Sequence, residues 1–560
     1  MNFSISNSYD YQHHYSSNPQ TLPFYGIYES CANKKSIYIY GITTKNDTIT
    51  IQYSNSKDSS VSNYITSHTV NINNTEKKIV LTPCLNYFRL IITSADTYSS
   101  ADRRIYNVYL SDTQILLTDT DGNVQVVDPS GGVSTVSFSA TNYDAFGRFR
   151  VSQPFTLFDS ANVNYMNTKF TQYCNPSGSG PTNNTVSYNV SGSTVDLICN
   201  ISGTVVREGK YLCSYQPGKS LLIMNTFVMN SSQTNLIQRV GYYNDKNGIF
   251  LELNGSTLNI VKRSSVSGAL VNTSVVQSSW NTNTMLSGTP TLDITKPQIF
   301  WIDIEWLGVG SVRTGFVIDN TFYIAHIFRH ANDPDGSSTY GTYMTSARLS
   351  PRYEIVYNGA SSGLNYKLKQ ICSTVISEGG YEAKSIVRHI GYEANMTNIP
   401  NSGAGPSAWI PLMAIKLDDT SKININGIMI PSQLSILYST ANGNGNLLYQ
   451  ILLNPTISGA TVTFQNYNST YPQDPNSVAK YWFNPSGTTF TVNGGIIINS
   501  GLLTSGSTIA LSSANDFNLQ IGRNYLGNDT YTSDVIAIAI KLLSIGNTPE
   551  LYSQIGWYEI

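Results

Sequence analysis

The chain has 560 residues, and 12% of them are charged, against about 25% in an average soluble protein. Its net charge is −2 and its pI is near 6.3, which excludes the basic surface that nucleic acids and anionic membranes select. Tyr contributes 38 residues, and a polar, uncharged surface suits proteins that pack into assemblies or contact sugars. A codon bias toward Asn, Ile, Tyr and Lys would produce a similar composition, and the two explanations are compatible.

The hydrophobic pattern predicts an all-β chain, and the length predicts two to four domains. No long window carries the apolar spacing of an amphipathic helix. Residues 1–20 are polar and patternless, which predicts an arm that orders against a neighbouring molecule. Short strands then recur at regular spacing and predict an immunoglobulin-like β-sandwich over residues 21–127. Asp128-Pro129-Ser130-Gly131-Gly132 ends that pattern.

The central segment, residues 133–380, holds the clearest strand pattern. From Phe300 to Trp306, side chains alternate with the period of two that separates the faces of a strand. Val312 to Ile318 and Phe322 to Phe328 repeat it, and Asp319-Asn320 between them suits a hairpin because these residues tolerate positive φ. We therefore predict a three-stranded antiparallel meander in a two-sheet sandwich.

The last segment, residues 381–560, reads as a further β-sandwich. Its most apolar run, Val535 to Ile545, contains Lys541 and is too short to span a bilayer, so it predicts a buried strand. The end of the chain, Ile555 to Ile560, is apolar enough to form a last strand. Together with the previous segments, this predicts tandem β-sandwich domains.

The cysteines predict free, buried thiols, with no disulfide, metal or cofactor. They are scattered, lack C-x-x-C spacing and lie mostly in strand-like surroundings. The first residues lack the basic start and apolar stretch of a secretion signal. Both features favour assembly in a reducing cytoplasm. The cysteines are Cys31, Cys84, Cys174, Cys199, Cys213 and Cys372.

Six short motifs of the central segment resemble one family of viral proteins. Together they are similar to uncharacterised fibre-like or decoration-like virion proteins of large marine bacteriophages and large algal and protist DNA viruses. The resemblance implies a place in the virus particle, other virion proteins as partners, and a homo-oligomer, often a trimer in fibres. The motifs are Asp144 to Ser152, Arg207 to Tyr211, Gln216 to Ser220, Arg239 to Asp245, Gly248 to Glu252, and Trp301 to Asn332.

The strand Trp301-Ile302-Asp303-Ile304-Glu305 also resembles the catalytic strand E-x-D-x-E of glucan hydrolases with the concanavalin-like jelly roll, a fold shared with lectins. This resemblance implies a jelly roll over residues 133–380. Asp303 and Glu305 match the helper and acid/base positions, but Trp301 stands where the nucleophile belongs. An indole cannot form the covalent intermediate, so the retaining route is closed.

Trp301, Asp303, Glu305 and Arg313 are therefore candidates for a glycan-binding groove in which Trp301 stacks on the sugar. The alternative is an ordinary outward face whose acids are countered by Arg313 across the hairpin. His326 and His330 lie too far apart on a strand to share a metal, and His326 is interpreted as a hydrogen-bonded histidine near the core.

Other metal candidates are weak. Asp119 to Gly122 and Asp333 to Gly336 have the oxygen density of calcium loops, but both lack the remaining ligands and are natural Asp/Gly turns.

The leading hypothesis is a non-enzymatic virion structural protein that mediates particle assembly and attachment to host-surface glycans. It would act on the virion without a cofactor, and with neither nucleic acid nor membrane as a partner. A virion-borne glycan hydrolase that uses Glu305 as its acid is the second hypothesis. A purely architectural capsid component without any ligand is the third.

Overall fold

The chain folds into two compact units, residues 1–142 and 143–560, in the computed structural model. In residues 1–153 the structure describes the backbone of the strands and a few side chains. From residue 154 onward it describes the chain apart from 177–182, 289, 333–340, 361–364, 383–385, 395–407, 440–445, 460, 486–489, 513–518 and 544–549.

The first unit is built from antiparallel strands. One sheet has the order β1-β9-β4-β7, a second β2-β8-β5-β6 with β3 also paired to β8, and a third β10-β11-β12. The predicted N-terminal arm includes β1, which pairs with β9. The strands are β1 Tyr9–Ser16, β2 Phe24–Tyr25, β3 Glu29–Ser30, β4 Ser36–Thr43, β5 Asn46–Ser54, β6 Ile65–Asn73, β7 Glu76–Leu81, β8 Tyr87–Ser94, β9 Arg104–Ser111, β10 Leu117–Thr118, β11 Val124–Val127 and β12 Val133–Val136.

The second unit begins with the strands of a large sandwich. They are β13 Phe155–Ala161, β14 Phe170–Asn175, β15 Thr185–Asn189, β16 Thr194–Cys199, β17 Gly203–Gly209, β18 Ser220–Val228, β19 Leu236–Tyr243, β20 Gly248–Asn254, β21 Thr257–Ser264, β22 Val271–Val276, β23 Gln298–Ile304, β24 Val312–Ile318, β25 Thr321–Phe328, β26 Pro351–Tyr357 and β27 Tyr366–Glu378. A short 3-10 helix, Gln277–Ser279, follows β22.

These strands form two facing antiparallel sheets. Sheet A has the order β15-β16-β27-β18-β23-β24-β25, with β13 also paired to β27, and sheet B has the order β14-β17-β26-β19-β20-β21-β22. Period-two alternation supplies the core, because Leu221 and Ile223 of sheet A meet Leu251 and Ile260 of sheet B in one buried cluster. The prediction of a central jelly-roll sandwich is confirmed.

A second sandwich follows along the chain. Its strands are β28 Val387–Ala394, β29 Ile410–Leu417, β30 Met429–Tyr438, β31 Asn446–Leu453, β32 Thr456–Ser458, β33 Gln465–Asn466, β34 Ala479–Phe483, β35 Thr491–Asn493, β36 Ile496–Thr504, β37 Thr508–Ser512, β38 Arg523–Gly527, β39 Thr530–Ser533, β40 Val535–Leu542 and β41 Leu551–Glu559. The 3-10 helix Asn424–Asn426 and the four-residue helix α1, Tyr467–Thr470, interrupt them.

This C-terminal sandwich pairs sheet C, β28-β41-β30-β37, with sheet D, β33-β34-β29-β40-β31-β36. Strands β40 and β41 confirm the two predicted for Val535–Ile545 and for the end of the chain. Ribbons β32-β35 and β38-β39 complete it. The predicted boundaries at residues 127, 133 and 380 stay predictions.

The central meander forms as the sequence pattern predicts. β23 pairs with β24 and β24 with β25, all antiparallel. Asp319 and Asn320 at the hairpin have φ of 49° and 60°, the left-handed conformation that a tight turn between strands requires. The tandem-sandwich, all-β prediction is therefore confirmed, and among the described residues no helix is long and apolar enough to cross a membrane.

Close strand packing at Gly315 of β24 gives a test of the meander. A Cβ at Gly315 would lie 1.8 Å from the carbonyl oxygen of Tyr323, whereas one at Gly391 of β28 would have its nearest neighbour at 3.9 Å. We expect Gly315→Ala to lower the free energy of unfolding by about 3 kcal/mol, measured by urea denaturation. Gly391→Ala is the control and should change stability little; equal effects of the two substitutions would contradict the packing described.

Candidate functional site

The structure brings two of the candidate groove residues together and buries them. Phe300, Ile302 and Ile304 of β23 point into the central core, so Trp301 and Asp303 lie on the opposite face of the strand. That face is also covered, because Trp301 is 1% exposed and Asp303 is 0% exposed. Asp303 is thus not on an open surface, although the alternation of the sequence suggested one.

Asp303 forms an ion pair with Arg313. The two residues are cross-strand partners in the register of β23 and β24. The predicted pairing with Arg313 is therefore confirmed for Asp303, whereas the outward-facing position of Asp303 is wrong. Trp301 makes an edge contact with the ring of Phe322, at 5.7 Å between ring centres. A sugar would reach Trp301 and Asp303 only after the groups that cover them moved. The glycan groove therefore stays a prediction.

Glu305 lies beyond the end of β23 and is half-buried. Its N–H donates to the carbonyl of Ser311 at 3.2 Å, and its own carbonyl accepts from the hydroxyl of Tyr343 at 3.3 Å. Burial raises the pKa of Tyr343 well above its usual value, and the nearby Tyr215 and Glu305 raise it further. Of the two acids among the four candidates, Asp303 and Glu305, Glu305 is the more exposed to solvent.

A buried histidine and lysine lie close to this end of β23. The Nδ1 of His330 is 2.7 Å from the carbonyl oxygen of Gly310, so Nδ1 carries the ring proton. Its Nε2 then accepts from the ammonium of Lys262 at 3.1 Å. The imidazole stacks on Tyr343 at 3.8 Å between ring centres. This arrangement fits a neutral His330 held by packing and hydrogen bonds.

His326 has the role that the sequence predicted. It is buried, and its Nδ1 accepts from the N–H of Asn281 at 3.3 Å. In the part of the chain that the structure describes, no group of three or more His, Cys, Asp or Glu side chains could hold a metal ion. The two candidate calcium loops, residues 119–122 and 333–336, lie outside the described residues.

The thiols of the second unit are free, as predicted, and two are fully buried. Cys199 and Cys213 are buried, while Cys174 and Cys372 are half-buried. Burial raises the pKa of Cys199 to about 12 and raises that of Cys213 as well. These thiols are not activated nucleophiles. Cys31 and Cys84 lie outside the described residues.

A polar cluster lies on the outer face of sheet B, where the sequence indicated no site. We call it the charge network. Arg352 of β26 contacts Glu208 at 2.9 Å, Asp245 at 2.8 Å and Glu354 at 2.8 Å. Glu208 in turn contacts Arg523 of β38 at 2.9 Å. Since β38 belongs to the C-terminal sandwich, the network joins the two sandwiches of the second unit.

Further along sheet B, Arg239 extends the network by contacting Glu354 and, at 2.7 Å, Glu252. Arginine side chains also cover two aromatic rings on this face. The guanidinium of Arg263 lies 4.9 Å from the ring centre of Phe250 and 5.6 Å from that of Tyr243. Such cation–π contacts let charged side chains shield rings from water.

Burial and charge act in opposite directions on the acids of the network. Burial would raise the pKa of Glu354, but the guanidinium groups of Arg352 and Arg239 lower it to about 2. For Glu208, burial raises the pKa, and Arg523 and Arg352 only partly oppose it. Glu208 joins the two sandwiches through Arg523, whereas Glu354 pairs with arginines of the central sandwich. Both acids are buried and closed to a substrate.

Sequence reasoning missed this network because its partners are far apart along the chain; Glu208 and Arg523 are separated by 315 positions. One signal was available. Glu208, Arg239, Asp245 and Glu252 all fall within the motifs that carry the viral resemblance. These motifs therefore supply much of the buried charge of sheet B.

Comparison with known proteins gives no family. No protein-family model matches the chain, and no curated protein matches it. Three solved structures illustrate the similarities found, and each shares 10% or less of its sequence with this chain.

A protein of unknown function from Shewanella oneidensis MR-1 has 9% identity and a TM-score of 0.27, covering 42% of this chain and 91% of its own. Arcelin-5, a lectin-like defence protein from Phaseolus vulgaris, has 9% identity and a TM-score of 0.25, over 40% and 99%. The CBM2 module of the evolved Dit from Lactobacillus casei phage J-1 has 7% identity and a TM-score of 0.25, over 41% and 100%. Similarity at this level assigns no function.

In the wild type, the charge network should make the two sandwiches of the second unit unfold together. Arg523→Met leaves Glu208 buried without one of its two cations, and breaking a buried pair costs about 3–5 kcal/mol. We expect calorimetry to show that much loss of stability, with the C-terminal sandwich unfolding first. Lys296→Met, which removes the exposed pair with Asp293, is the control and should change stability by about 0.5 kcal/mol or less. Equal effects would refute the role of the network.

Acid should destabilise the second unit. Burial would raise the pKa of Asp418, but bonds from Lys480, Thr420 and Asn424 lower it to about 2, as arginines do for Glu354. Acids with lowered pKa stabilise the fold above their unfolded pKa of about 4, and this contribution is lost as the pH falls toward 2. The pKa of Glu208 is raised, so its contribution to stability changes with pH in the opposite direction. It is one acid, against the two acids Asp418 and Glu354 whose pKa is lowered.

We therefore expect the urea concentration at the unfolding midpoint to decrease as the pH is lowered from 5 to 2.5. Asp418→Asn stays neutral at every pH, so this variant should lose less of its remaining stability across the same range. An identical pH slope for the variant and the wild type would show that Asp418 does not contribute.

Proposed function

We propose that this chain is a non-enzymatic structural protein of a virus particle, which contributes to particle assembly and to attachment at host-surface glycans. Other virion proteins would be its partners, and it would act as a homo-oligomer. It would be assembled in the host cytoplasm. The viral resemblance of six ordered motifs and the scarcity of surface charge support this proposal.

The observation that carries the proposal concerns β23, the strand that resembles the catalytic strand of the glucan hydrolases. Trp301 stands at the nucleophile position, and Asp303 is buried and paired with Arg313. An indole cannot form the covalent intermediate, and a helper carboxylate with no exposed surface and an arginine partner cannot reach a substrate. This strand therefore supports binding or packing over the retaining mechanism.

Exposed aromatic residues elsewhere on the second unit offer surfaces on which sugars could stack. Tyr165 is 62% exposed and Tyr471 is 39% exposed. Phe155 stacks on Tyr381 at 5.3 Å and is itself well exposed. Rings of this kind bind sugar faces through apolar contact while their hydroxyls stay hydrated.

Hydrolysis is the second candidate, and Glu305 is the observation that favours it. This acid is half-buried, beyond the end of β23, at the position that matches the acid/base of the glucan hydrolases. It would need a second carboxylate as base, about 6.5–9.5 Å away in an inverting enzyme.

Incubation of the full chain with algal and bacterial polysaccharides separates the candidates. Binding without product release is the outcome we expect. Product release that stops in Glu305→Gln, and persists in the control Glu550→Gln, would replace the proposal with the hydrolase. If neither binding nor release occurs with any polysaccharide, glycan attachment fails and a purely architectural role remains.

A further inference from the structure

A second polar cluster lies inside the central sandwich, where sheets A and B face each other. We call it the core polar cluster. Every member is buried, and the surrounding core is apolar. Its members are Ser160 of β13, Arg207 of β17, Asn225 of β18, Tyr353 of β26, and Gln370 and Ser373 of β27.

Strand register places four of these side chains on one patch of the inner face of sheet A. Ser373 pairs with Ser160 on one side and with Asn225 on the other. Between Gln370 and Ser373 the register shifts by one residue, and such a bulge lets both side chains point inward. Both are indeed buried. Asn225 and Gln370 then occupy diagonal positions, which are about 7–8 Å apart at Cα.

Two side chains of sheet B, from Arg207 and Tyr353, reach this patch. The Nε of Arg207 donates to the Oε1 of Gln370. The Tyr353 hydroxyl lies 2.8 Å from the Oγ of Ser373 and 3.4 Å from the Oδ1 of Asn225. Arg207 and Tyr353 are themselves cross-strand partners. Hydrogen bonds thus join Arg207 to Gln370 and Tyr353 to Ser373 and Asn225, and strand register places these two groups and Ser160 side by side.

Arg207 is a buried cation without an anionic partner. No carboxylate among the described residues pairs with it; its remaining contacts are the carbonyl of Asn167 at 2.8 Å and the ring of Phe170 at 4.8 Å. Burial lowers the pKa of Arg207 to about 10, although Tyr353 opposes this. The guanidinium therefore stays charged at neutral pH, and a buried charge of this kind calls for a counter-ion.

The same cluster holds polar groups that lack hydrogen-bond partners among the described residues. They are the amide nitrogens of Asn225 and Gln370 and the hydroxyl of Ser160. The two amide nitrogens are donors only, and the neighbouring oxygens of Gln370 and Asn225 are already engaged. A water molecule could accept from these donors as well, but only an anion would also supply the negative charge that buried Arg207 lacks.

We propose that the core polar cluster binds a small monovalent anion of the chloride class, held by the donors of Asn225, Gln370 and Ser160 beside the charge of Arg207. The anion supplies the negative charge that this sandwich core otherwise lacks. It is a structural ligand of the central sandwich, independent of whether the protein binds glycans.

Halide-dependent stability tests the proposal on the full chain. At constant ionic strength, with gluconate replaced by chloride, the Tm of the second unit should rise by about 1–2 °C for each tenfold increase in chloride above its Kd. Gln370→Glu provides a carboxylate for Arg207 in place of the anion. This variant should therefore lose the chloride-dependent rise and be more stable than the wild type in chloride-free buffer.

Gln238→Glu is the matched control. Gln238 is a buried glutamine of the same sandwich whose amide already bonds the main chain of Asn230 at 2.7 and 3.0 Å. This substitution should keep the chloride-dependent rise, which separates anion binding from general salt effects. A wild-type Tm that depends on chloride no more than that of Gln370→Glu would overturn the proposal.

Crystals of the wild-type chain soaked in bromide give a second test that needs no variant. An anomalous peak between Arg207, Asn225 and Gln370 is the expected result. Bromide found only at the protein surface, or a water molecule at the cluster that bromide does not displace, would refute the anion site.

Discussion

Strands β17 and β26 of sheet B are buried along most of their length on both faces, and this constraint shapes where their charged residues find partners. A charge on such a strand needs a partner, because an unpaired buried ion costs on the order of several kcal/mol. On β17, Arg207 and Glu208 follow one another, so alternation sends them to opposite faces. Glu208 meets Arg352 and Arg523 outside the sheet, while Arg207 meets only neutral groups inside it.

The burial of these charged residues also affects the composition of the protein surface. The protein has few charged residues, 12% of the chain, and the charge network holds several of them away from solvent. With few charges in the sequence and several of them buried, hydroxyls, amides and rings form a larger share of the outside, although exposed charges such as Lys296 and Asp293 remain. Such groups lose little on desolvation and can bond or stack on contact.

The local elements were predictable from the sequence, since period-two alternation and turn chemistry act over a few residues. They give β24 with its observed bounds and the hairpin at Asp319-Asn320. The pattern could not show which faces are covered. Asp303 alternates with apolar residues as a solvent-facing acid would, yet it is buried against Arg313. Partners such as Glu208 and Arg523 meet only through the docking of two sandwiches, which no local pattern encodes.

Burial also bears on whether a strand that resembles a catalytic one can use its acids. An acid works in hydrolysis when it touches the substrate and exchanges a proton, and both depend on its surroundings more than on its identity. Asp303 has no exposed surface and is paired with Arg313, so a substrate cannot touch it where it lies. Glu305, past the end of the strand, keeps some access to solvent. Trp301 and Asp303 thus pack against the sheet, whereas Glu305 stays partly accessible.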